Sequence, residues 1–213
     1  VYKRQNLSYT NRAFFYSSTL GTRATLTVTT WNPGADYIDF QDIALTNTVA
    51  PTGAGNCGNN TGITFPAAKT VYIVGTGKPN WSDTVWATSS GGAASASNFP
   101  LAQDTAFIDD NFTGTQITFD AQWNIGTVNA STRTVAGPTV YTTARPNIYN
   151  TWTSSSGLTF SGAQGISFNG RSPTVQQVTT AGVSFPFPIY IQCYGTSVHM
   201  NDALTTTSSL NIV

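Results

Sequence analysis

The chain has 213 residues, of which only 8% are charged: nine Lys and Arg stand against nine Asp, with no Glu and a formal net charge of zero. That balance excludes the basic clustering of a nucleic-acid footprint, while 39% hydrophobic and 12% aromatic residues are too many for a disordered Ser/Thr/Gly tract. Thr, Ser, Asn and Gly fill the polar positions and strong helix formers are nearly absent from them, so the composition predicts an all-β chain.

Residues 1–5, "VYKRQ", reproduce the transposase mosaic end of sequencing adapters when read back into codons. They are expected to be translated adapter from a metagenomic assembly and are set aside from the fold. Without Lys3 and Arg4, seven cations face nine aspartates. The true N-terminus, with any secretion signal, is then expected upstream. The segments "TRATLTVTT" (22–30) and "DYIDFQDIAL" (36–45) alternate apolar and polar residues between turn-formers such as "NPGA" and "APTGAGNCGNNTG", and read as strands. The apolar runs "TVYIVG" and "FPIYIQC" are strand-length, far short of the roughly eighteen residues of a membrane span, so no membrane insertion is expected. Residues 76–100 break the rhythm, and long irregular insertions are where scaffolds carry function.

From Ile117 a repeat sets in. Apolar anchors fall at Ile117, Val140, Leu158, Val183 and Leu204, and a second series rises in step with them at Ile125, Ile148, Ile166, Ile189 and Leu210. Recurrence of about twenty residues, each unit holding short strands and Gly/Asn/Ser turns, predicts a right-handed parallel β-helix or solenoid over residues 6–213. A β-sandwich with a strand every eight to twelve residues is the alternative. Stacked coils also account for the sparse charge: like charges about 4.8 Å apart would repel, whereas neutral hydroxyl and amide ladders do not. The closing "SSLNIV" carries no polar cap, so truncation is expected there too.

The run from "GITFPAAKTVYIVGTGKPNWSDTVW" through "ITFDAQWNIGTVNAS", "GLTFSGAQGISFNGR" and "MNDALTTTSS" resembles Thr/Gly-rich β-solenoid surface and virion-fibre proteins of marine viruses and bacteria. The resemblance covers the chain from about residue 36 onward. It implies an extracellular or virion-surface location and a structural or attachment role, with no catalytic motif to transfer. The expected function is a non-catalytic rigid fibre or attachment segment of a phage virion or secreted adhesin that binds cell-surface glycan. A tailspike-type polysaccharide depolymerase and a purely structural spacer are the alternatives. Homotrimers or end-to-end stacking are the expected assemblies.

For sugar binding, the insertion offers Trp81 and Trp86 beside Asn80, Asp83 and Lys78: an indole can stack a sugar ring while amides and a carboxylate bond its hydroxyls. Equally, the two indoles can cover the solenoid's open side. Trp31, Trp123 and Trp152 lie in or beside strands and read as core. A depolymerase would need paired carboxylates, for which Asp39 with Asp42, or Asp109 with Asp110 near Asp104 and Asp120, are the candidates. Asp104, Asp109 and Asp110 are also a weak calcium site, lacking alternate-residue ligand spacing. One His and two distant Cys offer no transition-metal spacing, and no cofactor is expected. His199 near Asp202 reads as an ordinary strand residue, and Cys57 and Cys193 as separate thiols on different coils. Sequons at Asn6, Asn59, Asn80, Asn111 and Asn129 are about what the Asn, Ser and Thr content gives by chance.

Overall fold

The computed structural model describes residues 6–32, 36–171 and 173–213; the adapter assigned to 1–5 lies outside them. Apart from a single 3-10 turn at Ala96–Asn98, the described residues form short strands joined by turns. Almost all pairings are parallel, each strand bonding to its counterpart one coil away. This is the β-solenoid; a sandwich would pair its strands antiparallel. No helix among the described residues is long and apolar enough to cross a membrane.

The chain builds two stacks. In the first, Ala13–Tyr16, Ile38–Gln41 and Gly55–Asn56 form one wall, while Ala24–Leu26, Ile43–Val49 and Thr61–Ile63 form the other, giving three coils. Ile38, Phe40, Ile43 and Leu45 fill it. The second stack has six coils and three walls. Its first wall runs from Thr70–Ile73 through Thr105–Phe107, Thr127–Asn129, Trp152–Thr153 and Gln176–Thr179 to Val198–Met200. Val71, Ala106, Val128, Trp152 and Val178 point inward from it, one above the next. The second wall starts with Gln116–Phe119, Thr139–Thr142 and Thr159–Gly162. The third holds Asn124–Ile125, Asn147–Ile148, Ile166–Phe168, Ile189–Ile191 and Leu210–Ile212.

The apolar series place the coils, but their register slips by two positions. Val140 pairs with Phe160 rather than Leu158, and Ile148 with Phe168 rather than Ile166. Both skipped residues are nonetheless buried, so this one coil carries two inward anchors in each series where one was assigned. Neutral ladders occupy the outside, as in the 2.9 Å contact of the Thr139 and Thr159 hydroxyls.

The insertion closes the start of the second stack. Residues 75–81 lay an irregular rung on the first strand of the second wall: Thr118 N–H donates to Pro79 O at 2.9 Å and Trp81 N–H to Thr118 O at 2.7 Å. Trp86–Ala87 then turns back antiparallel along Thr70–Ile73, occupying the edge that the first coil would otherwise leave open. Trp81, Trp86 and Phe99 drop into the end of the core, with Trp81 4.7 Å from Phe119 and Phe99 5.1 Å from Trp123 between ring centres. Solenoids need such end caps.

The two stacks pack crosswise. Along one short run of the first stack, Asp39 meets Asn124, Gln41 meets Tyr149 and Asp42 meets Arg171, three successive coils of the second. Its strands therefore run along the second stack's axis. Close approach is set by glycine at two points: a Cβ on Gly58 (φ +97°) would lie 2.6 Å from Arg171 Cβ, and one on Gly21 (φ +74°) would enter the Tyr194 ring.

Candidate functional site

Among the described residues, Ala13–Tyr16 is the edge strand of the first stack's wall. Strand alternation turns Ala13 and Phe15 toward the first stack's own side, where Ala13 packs against the core and Phe15 lies 6.0 Å from Phe40 while staying 44% exposed. Arg12, Phe14 and Tyr16 then face the other way. The Phe14 and Tyr16 rings lie 4.9 Å apart, tilted by 30°, and remain 37% and 61% exposed.

Opposite them stands the third wall of the second stack, whose outward residues form two rows. Asn124, Asn147 and Ser167 share one register. Tyr149, Asn169 and Gln192 form the next row, their N–H groups donating to Ile125, Ile148 and Phe168 carbonyls in the preceding coils. Between rings and rows lies a groove. One part, of about 310 Å³, is bordered by Arg12, Phe14, Trp123 and Asn124; the other, of about 440 Å³, by Tyr16, Tyr149, Asn169 and Gln192. Phe14, Gln122 and Asn147 border both, so the two are continuous.

The floor is held by hydrogen bonds across the crossing. Asn124 Nδ2 donates to Asp39 Oδ2 and Asn147 Nδ2 to Asn124 Oδ1, each at 3.0 Å, and Tyr149 Oη donates to Gln41 Oε1 at 2.9 Å. Arg12 Nε and Nη2 donate to Asp39 Oδ1 at 3.0 and 2.6 Å, and Arg171 Nε lies 3.8 Å from Asp42 Oδ2. Both pairs are nearly fully buried, where an arginine without its carboxylate would be strongly unfavourable. Arg12 Nη1 is also buried and has no hydrogen-bond partner among the described residues. Burial pushes the Tyr149 hydroxyl and the neighbouring Cys57 thiol well above their ordinary values, so both stay neutral. The groove is therefore lined by exposed rings over a floor in which Asn124, Asn147, Tyr149 and Asn169 are buried, and its arginines are offset by aspartates.

The insertion is a different matter, and the structure corrects the site assigned there. Trp81 and Trp86 are 0% and 1% exposed, packed edge to face at 4.6 Å, with Trp86 Nε1 donating to Trp81 O. A sugar ring cannot stack on either. Asn80 and Asp83 bond each other in a tight turn, Asn80 N–H to Asp83 Oδ2 and Asp83 N–H to Asn80 O, and Lys78 is exposed on the cap. A hollow of about 180 Å³ brings Asp83 beside the edge of Trp86 without uncovering the indole. Trp123 and Trp152 are core, and Trp31 is half-buried against Phe40.

The aspartates staple the structure rather than face one another. Asp104 accepts from Lys69 and Leu101 N–H, Asp110 from Thr134 and Val135 N–H one coil on, and Asp120 from Ser82 and Trp123 Nε1. Asp109 accepts from Ser90 and Asn111. The left-handed turn at Asp42 (φ 56°) does bring Asp39 and Asp42 to the same side, but each is matched by its own arginine. Asp104, Asp109 and Asp110 form no calcium site: no group of three acidic, His or Cys residues among the described residues is placed to hold a metal ion. His199 is exposed opposite Gln177, while the Asp202 oxygens accept the Thr180 and Ala181 N–H groups. Cys57 and Cys193 are free thiols.

Sequence reasoning missed the groove, although two signals point to it. Phe14 and Tyr16 are two apart in "RAFFYS" and must share a face. Asn147, Asn169 and Gln192 recur at the coil period, one amide to each coil. Compared with known proteins, the chain matches no family model, no curated protein and no solved structure.

Proposed function

We propose that this chain is a non-catalytic, rigid fibre or attachment segment of an extracellular or virion-surface protein, and that it binds cell-surface glycan in the groove between its two stacks. One observation carries the reading: the exposed Phe14 and Tyr16 rings face rows of amides across a groove whose arginines are already paired. An aromatic face beside neutral donors and acceptors is what a sugar ring requires, one side apolar and its rim polar. The size of the groove lies in the range of ligand sites.

The reading does not route through the aspartates. A depolymerase needs two carboxylates held across the scissile bond with a free proton to give, and the aspartates here are occupied as hydrogen-bond acceptors. Immobilised polysaccharides of several linkages, exposed to the parent protein and to a Phe14→Ala/Tyr16→Ala variant, test the proposal. At least one polysaccharide is expected to retain the parent and release the variant, with equal melting temperatures and no reducing ends formed. Retention of neither protein would make the chain a structural spacer, and release of reducing ends would make it an enzyme.

A further inference from the structure

We infer that the groove takes an extended, uncharged polysaccharide lying along the solenoid axis, with about one sugar ring to each coil. This rests on the glycan-attachment reading and goes beyond it in naming the shape, charge and direction of the ligand.

Direction comes from the crossed packing. The strand carrying Phe14 and Tyr16 runs along the axis of the second stack, so its rings form a wall parallel to the groove rather than across it. The opposite side repeats with the coils. Successive coils are about 4.8 Å apart, close to the advance of one ring in an extended, equatorially linked hexose chain. Such a chain meets one neutral side chain at every coil: first the exposed Gln122, next the buried Asn147 and Asn169 at the floor, then the half-buried Gln192. From Gln122 to Gln192 the groove crosses four coils, a run of about 14 Å.

Charge comes from the pairing. A sulfated or uronate chain would need net positive charge to meet it, but Asp39 offsets Arg12 through a 2.6 Å hydrogen bond and Asp42 offsets Arg171 through a 3.8 Å ion pair, although Arg12 Nη1 and Arg171 Nε have no hydrogen-bond partner among the described residues. An anionic chain would be stripped of water there without recompense. Hydroxyls face no such penalty, since amides both donate and accept.

The test is a size series. Oligosaccharides of two to eight rings, cut from whichever neutral polysaccharide retains the parent protein, are titrated calorimetrically beside sulfated and uronate chains of equal length. Affinity is expected to rise with each ring and level off near four or five. Gln122→Ala and Gln192→Ala, at opposite ends, should each weaken the longest chains about three- to tenfold, the size of one hydrogen bond. No two-ring oligosaccharide should respond to both. Equal affinity for short and long chains, preference for the anionic series, or indifference to both substitutions would overturn the inference and leave glycan attachment standing. If no polysaccharide retains the parent, the attachment reading fails first and the inference with it.

Discussion

Two aromatic pairs in this chain met opposite fates. Trp81 and Trp86 sit in a long polar insertion, where exposure would be expected, and are sealed inside the end of the second stack. Phe14 and Tyr16 sit in a short strand, where burial would be expected, and stand open on a groove. The difference lies in what each segment packs against. The end of a stack leaves core unfilled and an edge unpaired, so the insertion folds its apolar residues inward to close both. An edge strand laid crosswise over a second stack has only its polar rows to face, and its outward rings stay in solvent.

The widest gap between the two pairs is in stability. Trp81→Ala or Trp86→Ala should destabilise the chain by about 3–5 kcal/mol, the range for emptying a buried aromatic site, lowering Tm by roughly 6–20 °C at this chain length. Tyr16→Ala, at an exposed site, should change stability by less than about 0.5 kcal/mol. Urea unfolding of the three variants measures both. Equal losses at Trp86 and Tyr16 would mean that the cap is not core.

The crossing itself is the next point to break. Gly58→Ala places a Cβ 2.6 Å from that of Arg171 in a backbone conformation that L residues avoid, and should destabilise by about 1–3 kcal/mol. It should also weaken any ligand held in the groove, because Arg171 lies in its floor. Gly75→Ala, with open space around its Cβ and a similar positive φ, isolates the strain from the clash.

The smallest effect is electrostatic. Asp110 is held below the ordinary carboxylate value of 3.8 first by the Thr134 hydroxyl, and Asp202 first by the Thr180 N–H. Because these values are depressed in the folded state, the folded chain keeps both groups charged at a pH where the unfolded chain has begun to protonate. Their contribution is full above the ordinary value and disappears as pH falls through the folded values. An Asp110→Asn/Asp202→Asn variant should therefore lose some stability near neutral pH and show a shallower decline below about pH 4. Acid profiles of parent and variant that run parallel would remove the staples from the account.

Legibility followed the same physics. From Ile117 onward the second stack reads out of the sequence because its coils hold nearly constant length, so Ile125 and Ile148, or Ile166 and Ile189, recur at one interval and pair in register. The first stack does not. Ala13 pairs with the distant Ile38, whereas Asp39 pairs with Gly55 after a much shorter step, so no period survives. Position in the irregular insertion singled out Trp81 and Trp86, but whether an insertion caps a stack or reaches from it depends on which core lies beneath. The groove joins Arg12–Tyr16 to side chains more than a hundred positions away. It exists only once two independently regular stacks have docked, and no local pattern encodes the docking angle.

Hydrogen exchange with and without a retained neutral polysaccharide compares the two aromatic regions most directly. The account predicts slowed exchange in Ala13–Tyr16 and in the strands around Asn147, Asn169 and Gln192, with residues 76–100 unchanged. Protection confined to residues 76–100 would contradict it, returning binding to the cap and leaving the groove a seam between two stacks.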